Sequence, residues 1–423
     1  MMNCSFTTAI FPACQKHAIV KPLLKKPSFD PFDMKSYRPV SNLTFIGKFL
    51  ECFAVKRFHE HASAHCLFPV HQCAYRPRHS TETAVLSVLG DIFHAVDSGK
   101  VCTLVLLDLS TAFDTVDHSI LLMVLKDRFG VQGGVFDWFM SYLTGRTQSV
   151  STSTERSEPT ELTRGVPQGS VLGPVKFIAY TEELHATADQ FSICHHAYAD
   201  DTQLLACVQL KDVNSARRSL ERCITDIHKW SVQRRLQLNP EKTELIWFGG
   251  RVKLDSLQAM EIRIRLGQVD VEPVDCVRDL GVLLDSSLSV HQHIARVTST
   301  CFFHLRLRKL SRILDTETRK RLVCALVLTR VDYCNSLLAG LSDSTLAPLQ
   351  RVLHATAWFI LDLWPQDYVT VTAALQSLHW LPVHQRITYK LCVLMHSVAF
   401  SYAPTYLQDA VAPRSTLPGR VHL

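Results

Sequence analysis

The sequence lacks any apolar run long enough to cross a membrane. Its longest candidate, Val101–Leu107, has seven residues, whereas a transmembrane helix needs about 20. No basic segment leads into an apolar stretch at the start of the chain, so no secretory signal is expected. Apolar residues make up 47% of the 423 residues and the net charge is only +6, which excludes a disordered chain and predicts a folded intracellular protein.

No Cys-x-x-Cys pair occurs among the 14 cysteines. Without a secretory signal, reduced thiols are expected rather than a disulfide framework. Two groups contain side chains that bind zinc in other proteins: His59, His61, His65 and Cys66, and the tripeptide Cys194-His195-His196. Neither group has a second ligand pair at zinc-finger spacing. A polar helix face and a strand edge are therefore the favoured interpretations.

The first two-thirds of the chain have no excess of positive charge. Residues 1–285 contain 31 basic and 32 acidic side chains, whereas residues 286–423 contain 14 and 7. Nine basic groups and only two acidic ones fall within residues 296–330, and we call this segment the basic stripe. The basic stripe includes Arg306, Arg308 and Lys309. The charge pattern by itself favours a solvated helix face, but it is also typical of a surface that binds a polyanion.

The spacing of apolar residues predicts a mixed α+β body followed by a helical region. Helices are expected over residues 43–62, 81–96, 118–129, 136–143, 171–184 and 213–235. Strands are expected over residues 101–107, 148–153, 245–248 and 277–283, with two short ones within 192–205. Beyond about residue 290 the periodicity is helical almost throughout, so the two parts should join near residues 285–291.

Three carboxylates carry the strongest chemical signal. Asp108 directly follows the apolar strand, and Asp200 and Asp201 lie between two apolar strand segments. An Asp-Asp pair at a turn usually reflects only the preference of aspartate for turn geometry. Three carboxylates from neighbouring strands, however, are the ligands that two Mg²⁺ ions need in phosphoryl transfer. Asp114 and Asp117 lie further along and are expected to cap or pack a following helix.

The order of the motifs identifies a family resemblance. Residues 105–118, 165–174 and 198–201 together resemble the palm motifs of reverse transcriptases, in the form found in non-LTR (LINE-type) retrotransposons. Further segments resemble the other motifs of the family in the same order: Lys25-Lys26 with residues 36–41, Tyr75-Arg76-Pro77 with His79-Ser80-Thr81, residues 238–244, Leu280-Gly281-Val282, residues 332–335 and residues 379–383. The resemblance extends over almost the whole chain.

The resemblance implies an α+β fold of the right-hand polymerase type, with an α-helical thumb. Residues 1–100 would form N-terminally truncated fingers, residues 101–285 the palm with its catalytic motifs, and residues 286–423 the thumb and C-terminal region. The implied activity is that of an RNA-directed DNA polymerase, which extends a DNA primer on an RNA template with dNTPs. The family resemblance also implies a location in the nucleus or cytoplasm.

The resemblance implies roles for the charged residues. Asp108 and Asp200 would ligate two Mg²⁺ ions, or Mn²⁺ in their place, with Asp201 assisting. Lys242 would protonate the departing pyrophosphate, although a surface lysine is the plain alternative. The basic stripe, with its three residues named above, would grip the template–primer duplex.

Four further side chains are assigned to the incoming nucleotide. Phe113 would lie under the sugar and exclude a 2′-hydroxyl, although an ordinary core aromatic is the alternative. Gln168, between glycines that permit close backbone approach, would steady the template–nucleotide pair. Arg76 and Lys25 would neutralise the triphosphate, and the arginine fork is the better match to phosphate oxygens.

Departures from the family pattern leave the activity open. Lys176 stands where an apolar residue is usual, and Arg78 stands where a glycine is usual. Before residue 16, the sequence keeps only a trace of the segment with which reverse transcriptases of this family begin. Neither an endonuclease pattern before the reverse transcriptase motifs nor a ribonuclease H pattern after them is found. Both features are expected for a fragment of a mobile-element reading frame. A catalytically inactive nucleic-acid-binding remnant is therefore the alternative. A third hypothesis, an RNA-dependent RNA polymerase, conflicts with Phe113 and with Tyr198-Ala199 before the Asp pair.

Overall fold

A computed structural model describes residues 2–110, 113–307, 313–363 and 370–411. The first part contains the helices α1 (Met2–Thr7), α2 (Phe45–Ala64), α3 (Thr81–Asp97), α4 (His118–Asp127), α5 (Gly133–Leu143), α6 (Leu172–Tyr180), α7 (Glu183–Asp189), α8 (Val213–Gln233) and α9 (Arg251–Leu257). Its strands are β1 (His17–Leu24), β2 (Tyr37–Asn42), β3 (Val101–Leu107), β4 (Leu109–Ser110), β5 (Thr147–Val150), β6 (Thr160–Glu161), β7 (Cys194–Tyr198), β8 (Asp201–Val208), β9 (Gln237–Leu238), β10 (Glu244–Phe248), β11 (Ile264–Leu266), β12 (Val269–Val271), β13 (Cys276–Asp279) and β14 (Val282–Asp285). The second part contains α10 (His291–His304), α11 (Thr316–Val323), α12 (Thr329–Val331), α13 (Asp343–Leu361), α14 (Val371–Ser377), α15 (Val383–Ala399) and α16 (Thr405–Ala410), with a π-helical turn at Cys324–Leu328.

The central sheet has four antiparallel strands in the order β10-β3-β8-β7. Strand β3 is buried on both sides, since Cys102 and Leu104 belong to a core with α3, while Val105 and Leu107 belong to a core with α6 and α8. A strand covered on both faces needs apolar residues at nearly every position. This explains the unbroken apolar run, and the predicted bounds of the strand are confirmed.

A second sheet has the strand order β2-β1-β5-β6, in which β1 is antiparallel to β2 and parallel to β5. The short strand expected at 148–153 is present but lies at Thr147–Val150. At the end of β2, the backbone N–H of Ser41 donates to the carbonyl of Gln168 at 2.7 Å. The second sheet therefore anchors the glycine-rich loop that contains Gln168.

The prediction of a single strand over residues 277–283 is wrong. Strands β13 and β14 form a hairpin instead, with Asp279 opposite Val282. The turn residues Leu280 and Gly281 both have left-handed backbone, with φ of 43° and 91°, as a two-residue hairpin turn of this kind requires. Leu280-Gly281 is not one of the pairs that commonly mark such a turn, which is why composition did not reveal it.

The helix expected over residues 171–184 is two helices, α6 and α7. The hydroxyl of Thr181 donates to the carbonyl of Phe177 at 3.0 Å, so it competes with the backbone ladder where α6 ends. Helix α3 has a local N-cap, because the Ser80 hydroxyl accepts the N–H of Thr83 at 3.1 Å. Tertiary contacts thus decide where a helical pattern is interrupted, while the cap is a local feature.

Helix α2 forms where the periodicity predicts it but turns a different face inward. Among the apolar residues whose spacing predicts this helix, Ile46, Phe49 and Phe53 are 45%, 44% and 39% exposed, whereas Leu50 is buried. Glu51 is buried, and its carboxylate accepts hydrogen bonds from the Tyr142 hydroxyl, from Ser170 and from two backbone N–H groups before and at the start of α6. A buried carboxylate needs such partners. The orientation of α2 therefore follows the donors around Glu51.

The helical region beyond residue 290 is confirmed, and α10–α15 share a core of their own. Glu82 of α3 links the two parts, since its carboxylate accepts hydrogen bonds from the Ser336 hydroxyl and from Lys390 Nζ, the latter at 3.1 Å. The described helices include none long and apolar enough to span a membrane. The domain limits at residues 100 and 285 stay a prediction.

Candidate active site

Three carboxylates come together at one end of the central sheet. Leu107 of β3 pairs with Thr202 of β8, so the next residue, Asp108, lies beside Asp201. Asp200 occupies the turn that joins β7 to β8. The register of β3 against β8 therefore brings together the three aspartates that sequence analysis singled out.

The turn that carries Asp200 is held by Gln72, a buried side chain that sequence analysis missed. Oε1 of Gln72 accepts the N–H of Ala199 at 3.0 Å and the N–H of Ala74 at 3.1 Å. Ala199 has left-handed backbone, with φ of 60°, which is uncommon for a residue with a Cβ and needs such support. The position of Gln72 just before the Tyr75-Arg76-Pro77 motif is the signal that could have found it.

The carboxylates repel each other in a partly buried setting. Burial raises the pKa of Asp201 to about 6, and repulsion from Asp200 and Asp108 adds to the shift. Burial also raises the pKa of Asp200, with a further contribution from Asp108. A bound cation would offset both effects, and carboxylate oxygens are the ligands that Mg²⁺ prefers. The donor set therefore fits a divalent ion.

Lys242 supplies a positive charge to this group. Its Nζ lies 3.0 Å from Oδ2 of Asp108. The backbone N–H of Asn239 donates to the carbonyl of Asp108 at 2.9 Å, and the Asn239 side chain caps the short 3₁₀ turn Pro240–Lys242. This local structure explains how a lysine from a distant motif reaches Asp108.

The three aspartates do not form a closed ligand set in this structure. Among the described residues, the group whose ligand atoms all lie within 4.8 Å of one another is a different one: Asp91, Cys194 and His196. Lys242 instead takes one carboxylate oxygen of Asp108. A cation that binds Asp108 through Oδ2 would therefore compete with Lys242 for that oxygen.

A cavity of about 160 Å³ opens beside the carboxylates, and Asp108, Asp201 and Lys242 line it. The β13–β14 hairpin contributes another wall through Arg278 and Leu280. The segment Leu280-Gly281-Val282, which resembles a motif of the family, forms the turn of this hairpin. The hairpin thus borders the carboxylate site.

Asp279 is a second residue of the site that sequence analysis missed. It lines the same cavity and is 3% exposed. Burial raises the pKa of Asp279 to about 7, although the hydrogen bond that Gln203 donates to its carboxylate opposes the shift. Its place directly before the Leu280-Gly281 motif is the signal that could have identified it.

The loop with Gln168 approaches other parts of the chain so closely that it needs glycine. A Cβ at Gly165 would lie 2.7 Å from the carbonyl oxygen of Asp114, and one at Gly169 would lie 2.5 Å from that of Ser41. Both glycines also have positive φ, at 81° and 117°. The glycines thus permit close approach to the protein's own backbone, and contact of this loop with a nucleotide stays a prediction.

Gln168 lies at Asp114, whereas Lys25 donates to the carbonyl of Lys35 at 2.7 Å and affects Asp114 only through its charge. The amide nitrogen of Gln168 lies 3.5 Å from both carboxylate oxygens of Asp114. Burial raises the pKa of Asp114, while Gln168 and the charge of Lys25 oppose the shift. Asp114 and Gln168 line a separate cavity of about 440 Å³, so the structure does not place them in the carboxylate cavity. Asp117 caps α4 through two backbone N–H groups, as predicted.

Phe113 and Arg76 both make packing contacts with the protein. The ring of Phe113 stacks on Phe177, with 4.8 Å between centroids, and is partly buried against the main core. The guanidinium of Arg76 donates to the carbonyls of Pro69 at 2.8 Å and Gln72 at 3.1 Å. Contact of either side chain with a nucleotide stays a prediction.

Part of the basic stripe borders a cavity of about 670 Å³ beside the β13–β14 hairpin. The described residues that line it include no carboxylate and three arginines: Arg278, Arg296 and Arg330. Arg306 is exposed, and its guanidinium lies 5.2 Å from the centroid of the Phe303 ring. Arg308 and Lys309 lie outside the described residues.

The two departures from the family pattern have structural consequences. Lys176 is 2% exposed, and its Nζ has no hydrogen-bond partner among the described residues and lies 3.5 Å from the centroid of the Tyr142 ring. Burial lowers the pKa of Lys176. Arg78 has left-handed backbone, with φ of 68°, which explains why glycine is usual there, and it donates to the carbonyl of Ser401 at 2.7 Å.

Carboxylates on adjoining antiparallel strands, a neighbouring lysine and a basic cavity are typical of enzymes that act on nucleotides and polynucleotides. Residues 24–283 match the family described as reverse transcriptase (RNA-dependent DNA polymerase). The match covers more than half of the chain, which therefore belongs to the reverse transcriptase family.

Curated relatives specify the branch of the family. The chain is similar to the probable RNA-directed DNA polymerase from transposon BS of Drosophila melanogaster, at 30% identity over 305 residues that cover 71% of this chain and 33% of that protein. It is also similar to the RNA-directed DNA polymerase from mobile element jockey of the same species, at 26% identity over 344 residues, or 80% and 36% of the two chains. The chain spans about a third of the length of these relatives. The resemblance to non-LTR retrotransposon enzymes is confirmed.

Among solved structures, the chain is similar to apo telomerase from Candida tropicalis, with 11% identity, a TM-score of 0.49 and coverage of 95% of this chain and 67% of that one. A second structure of that telomerase, truncated from the C-terminal domain, has a TM-score of 0.46 at 11% identity and covers 66% of this chain and 55% of that one. Family membership, together with the α+β body and the helical region that follows it, confirms the predicted right-hand polymerase fold.

Proposed function

We propose that this chain is the RNA-directed DNA polymerase part of a non-LTR retrotransposon and extends a DNA primer on an RNA template. The observation that carries the proposal is the register of β3 against β8. This register sets Asp108 beside Asp200 and Asp201, and Lys242 lies 3.0 Å from Asp108. The relatives from transposon BS and mobile element jockey are named as RNA-directed DNA polymerases, which supports the same reaction.

The three aspartates are the proposed ligands of two Mg²⁺ ions, with Mn²⁺ as a substitute. When bound, such ions stabilise charge on the attacking and leaving oxygens of a phosphoryl transfer. The raised pKa values of Asp200 and Asp201 support this assignment, because their cause is burial and mutual repulsion that cations would offset. Lys242 compensates the charge of Asp108 when no cation does.

The remaining site residues are proposed to handle the substrate. Lys242 is the proposed proton donor to pyrophosphate, since its side chain is 63% exposed and reaches into the carboxylate site. Phe113, braced by its stack on Phe177, is proposed to exclude a 2′-hydroxyl. Gln168 is the proposed contact to the template–nucleotide pair, and Arg76 with Lys25 is the proposed contact to the triphosphate.

The cavity lined by Arg278, Arg296 and Arg330, called the basic cavity below, is proposed to bind the phosphate backbone of the template–primer duplex. Three arginines without a carboxylate suit phosphate groups, which dominate the affinity of proteins for nucleic acids. Arg278 lines both this cavity and the carboxylate cavity, so a strand held by Arg278 lies next to the aspartates. Arg306, Arg308 and Lys309 of the basic stripe are proposed to extend the same contact.

Primer extension with an RNA template, a DNA primer, dNTPs and Mg²⁺ tests the proposal. Asp200→Ala combined with Asp201→Ala should reduce synthesis by several orders of magnitude, since metal ions supply several kcal/mol of charge stabilisation. Asp255→Ala, at an exposed position of α9, is the matched control and should keep full activity. Unchanged synthesis in the double variant would overturn the metal assignment. Faster incorporation of rNTPs than of dNTPs would instead indicate an RNA-dependent RNA polymerase.

A catalytically inactive remnant that binds nucleic acid is the second candidate function. The observation in its favour is the buried amine of Lys176, which has no hydrogen-bond partner among the described residues. Salt-sensitive RNA binding without dNTP incorporation, with either Mg²⁺ or Mn²⁺, would select this candidate. If Lys176→Leu then restored incorporation, the loss of activity would be traced to that lysine.

A further inference from the structure

A second group of ligating side chains lies at the edge strand of the central sheet. Cys194 and His196 are two residues apart on β7, so their side chains leave the strand on the same face. Asp91 of α3 reaches the same point, and its Oδ2 lies 3.4 Å from Nε2 of His196 and 3.6 Å from Sγ of Cys194. The remaining pair, Sγ of Cys194 and Nε2 of His196, is 3.9 Å apart.

These separations match those of ligands around one zinc ion. Bond lengths of about 2.3 Å to sulfur and about 2.0 Å to nitrogen and oxygen place tetrahedral ligand atoms roughly 3.3–3.6 Å apart. The distances of 3.4, 3.6 and 3.9 Å therefore need only small side-chain shifts to close around an ion. We propose that Asp91, Cys194 and His196 bind a zinc ion, with the fourth position open to water.

The donor chemistry separates this site from the three aspartates. A thiolate and an imidazole select zinc or a similar transition metal, whereas a site made of carboxylate oxygens suits Mg²⁺. Asp91 and Cys194 are exposed and His196 is buried, so an ion can enter from solvent and keep its open position there. The chain would thus hold two kinds of metal at two places on one sheet.

The hydrogen bonding of the cluster is incomplete within the protein. Nδ1 of His196 is buried without a partner among the described residues, and the same is true of Nδ1 of His71. The two rings pack edge to face, with 5.2 Å between centroids, so His71 limits the rotation of the His196 ring. A restrained imidazole with its Nε2 beside a thiol and a carboxylate is prepared for a metal ion.

Side chains alternate between the two faces of β7, which explains why only one histidine of the tripeptide Cys194-His195-His196 belongs to the proposed zinc site. His195 leaves β7 on the opposite face, where its Nε2 lies 3.0 Å from Nδ1 of His185 and its Nδ1 lies 3.7 Å from Asp189. The tripeptide therefore supplies two ligands on one face, and the third comes from α3. This long-range third ligand is what the sequence alone did not reveal.

The proposed ion has a structural role that does not depend on the polymerase activity. It would tie β7 to α3, and β7 ends at Tyr198, just before the turn with Asp200. An ion that binds only the folded chain stabilises it by mass action, and this holds with water in the fourth position. The zinc site would thus fix the position of β7, which leads directly into the turn with Asp200.

Titration of the full chain with Co²⁺, under a reductant that contains no thiol, tests the site. Tetrahedral Co²⁺ with a thiolate ligand gives visible d–d bands and a near-ultraviolet sulfur-to-metal band, and Zn²⁺ should displace it. Cys194→Ser should abolish the sulfur band, and Asp91→Asn should weaken Co²⁺ binding at least about tenfold. Cys52→Ser and Asp97→Asn, at exposed positions of α2 and α3, are the matched controls and should leave the spectrum unchanged.

Asp91→His distinguishes loss of a ligand from loss of the fold. The position is exposed and should accept histidine, and the new imidazole should keep or tighten Co²⁺ binding. A sulfur band that survives Cys194→Ser would overturn the proposal. Absence of Co²⁺ binding by the folded unmodified chain would overturn it as well. Neither readout involves nucleotide incorporation, so the result is separate from that of primer extension.

Discussion

Nζ of Lys242 lies 3.0 Å from Oδ2 of Asp108, although 134 residues separate the two in sequence. A cation of the chain itself thus occupies one oxygen of a proposed metal ligand. A metal ion bound at that oxygen would compete with Lys242 for its negative charge. Binding of a metal ion would therefore free the ammonium group for a substrate phosphate.

Lys242→Met separates the two effects of this lysine. The affinity for Mn²⁺, measured by electron paramagnetic resonance titration, should stay equal or rise up to about fivefold, because an exposed ion pair contributes at most roughly 1 kcal/mol. Primer extension should fall roughly 10²-fold or more, since proton transfer by a positioned side chain contributes about that much. Lys211→Met is the control at an exposed lysine. A lower Mn²⁺ affinity in Lys242→Met would contradict the competition.

Lys176→Met should stabilise the protein. The folded-state pKa of Lys176 lies well below its ordinary value of 10.5, because the side chain is buried. Between that lowered pKa and 10.5 the unfolded chain binds more protons than the folded one, so stability rises with pH across this range. The free energy of unfolding of the variant should exceed that of the unmodified chain by about 1–3 kcal/mol at neutral pH, and the gain should shrink as the pH approaches 10.5.

Urea unfolding at several pH values measures this gain. Lys126→Met, at an exposed lysine of α4, is the control and should change stability by less than about 0.5 kcal/mol at every pH. A gain that stays constant between neutral and alkaline pH would show that charge burial is not its cause.

Charge reversal in the basic cavity should weaken nucleic-acid binding and spare metal binding. Arg296→Glu combined with Arg330→Glu removes two of the arginines that line the cavity and leaves Arg278, which also lines the carboxylate cavity, unchanged. Binding of an RNA–DNA duplex should weaken, and the slope of log affinity against log salt should become shallower by roughly two, since each phosphate contact contributes about 0.9. Arg218→Glu on the exposed face of α8 is the matched control. An unchanged slope would mean that the cavity is only a solvated surface.

Two glycine substitutions should change stability in opposite directions. Gly169→Ala should destabilise the fold by more than about 2 kcal/mol, because a Cβ would lie 2.5 Å from the Ser41 carbonyl oxygen at a φ of 117°. Gly90→Ala in α3 should stabilise it by about 0.5–1 kcal/mol, since nothing lies within 4 Å of the added Cβ. Thermal unfolding compares the two, and equal effects would refute the close approach of the loop to β2.

Much of the candidate site could be predicted from sequence because its motifs are local. Asp108 ends an apolar strand, and Asp200 and Asp201 follow a second one, so each piece is recognisable without its neighbours. Gln72 and Asp279 could not be found in this way. Their importance arises from contacts with a turn and with a cavity formed by distant segments.

The local elements of this protein follow from neighbouring residues: the bounds of β3, the cap of α3 and the motif order that marks the family. Apolar periodicity and capping act between residues a few positions apart, so they are visible in the chain. Contacts between distant segments, in contrast, turn Glu51 of α2 inward and bring Asp91 to Cys194 and His196. These contacts depend on strand register and on the packing of segments far apart in sequence, and no short pattern encodes them.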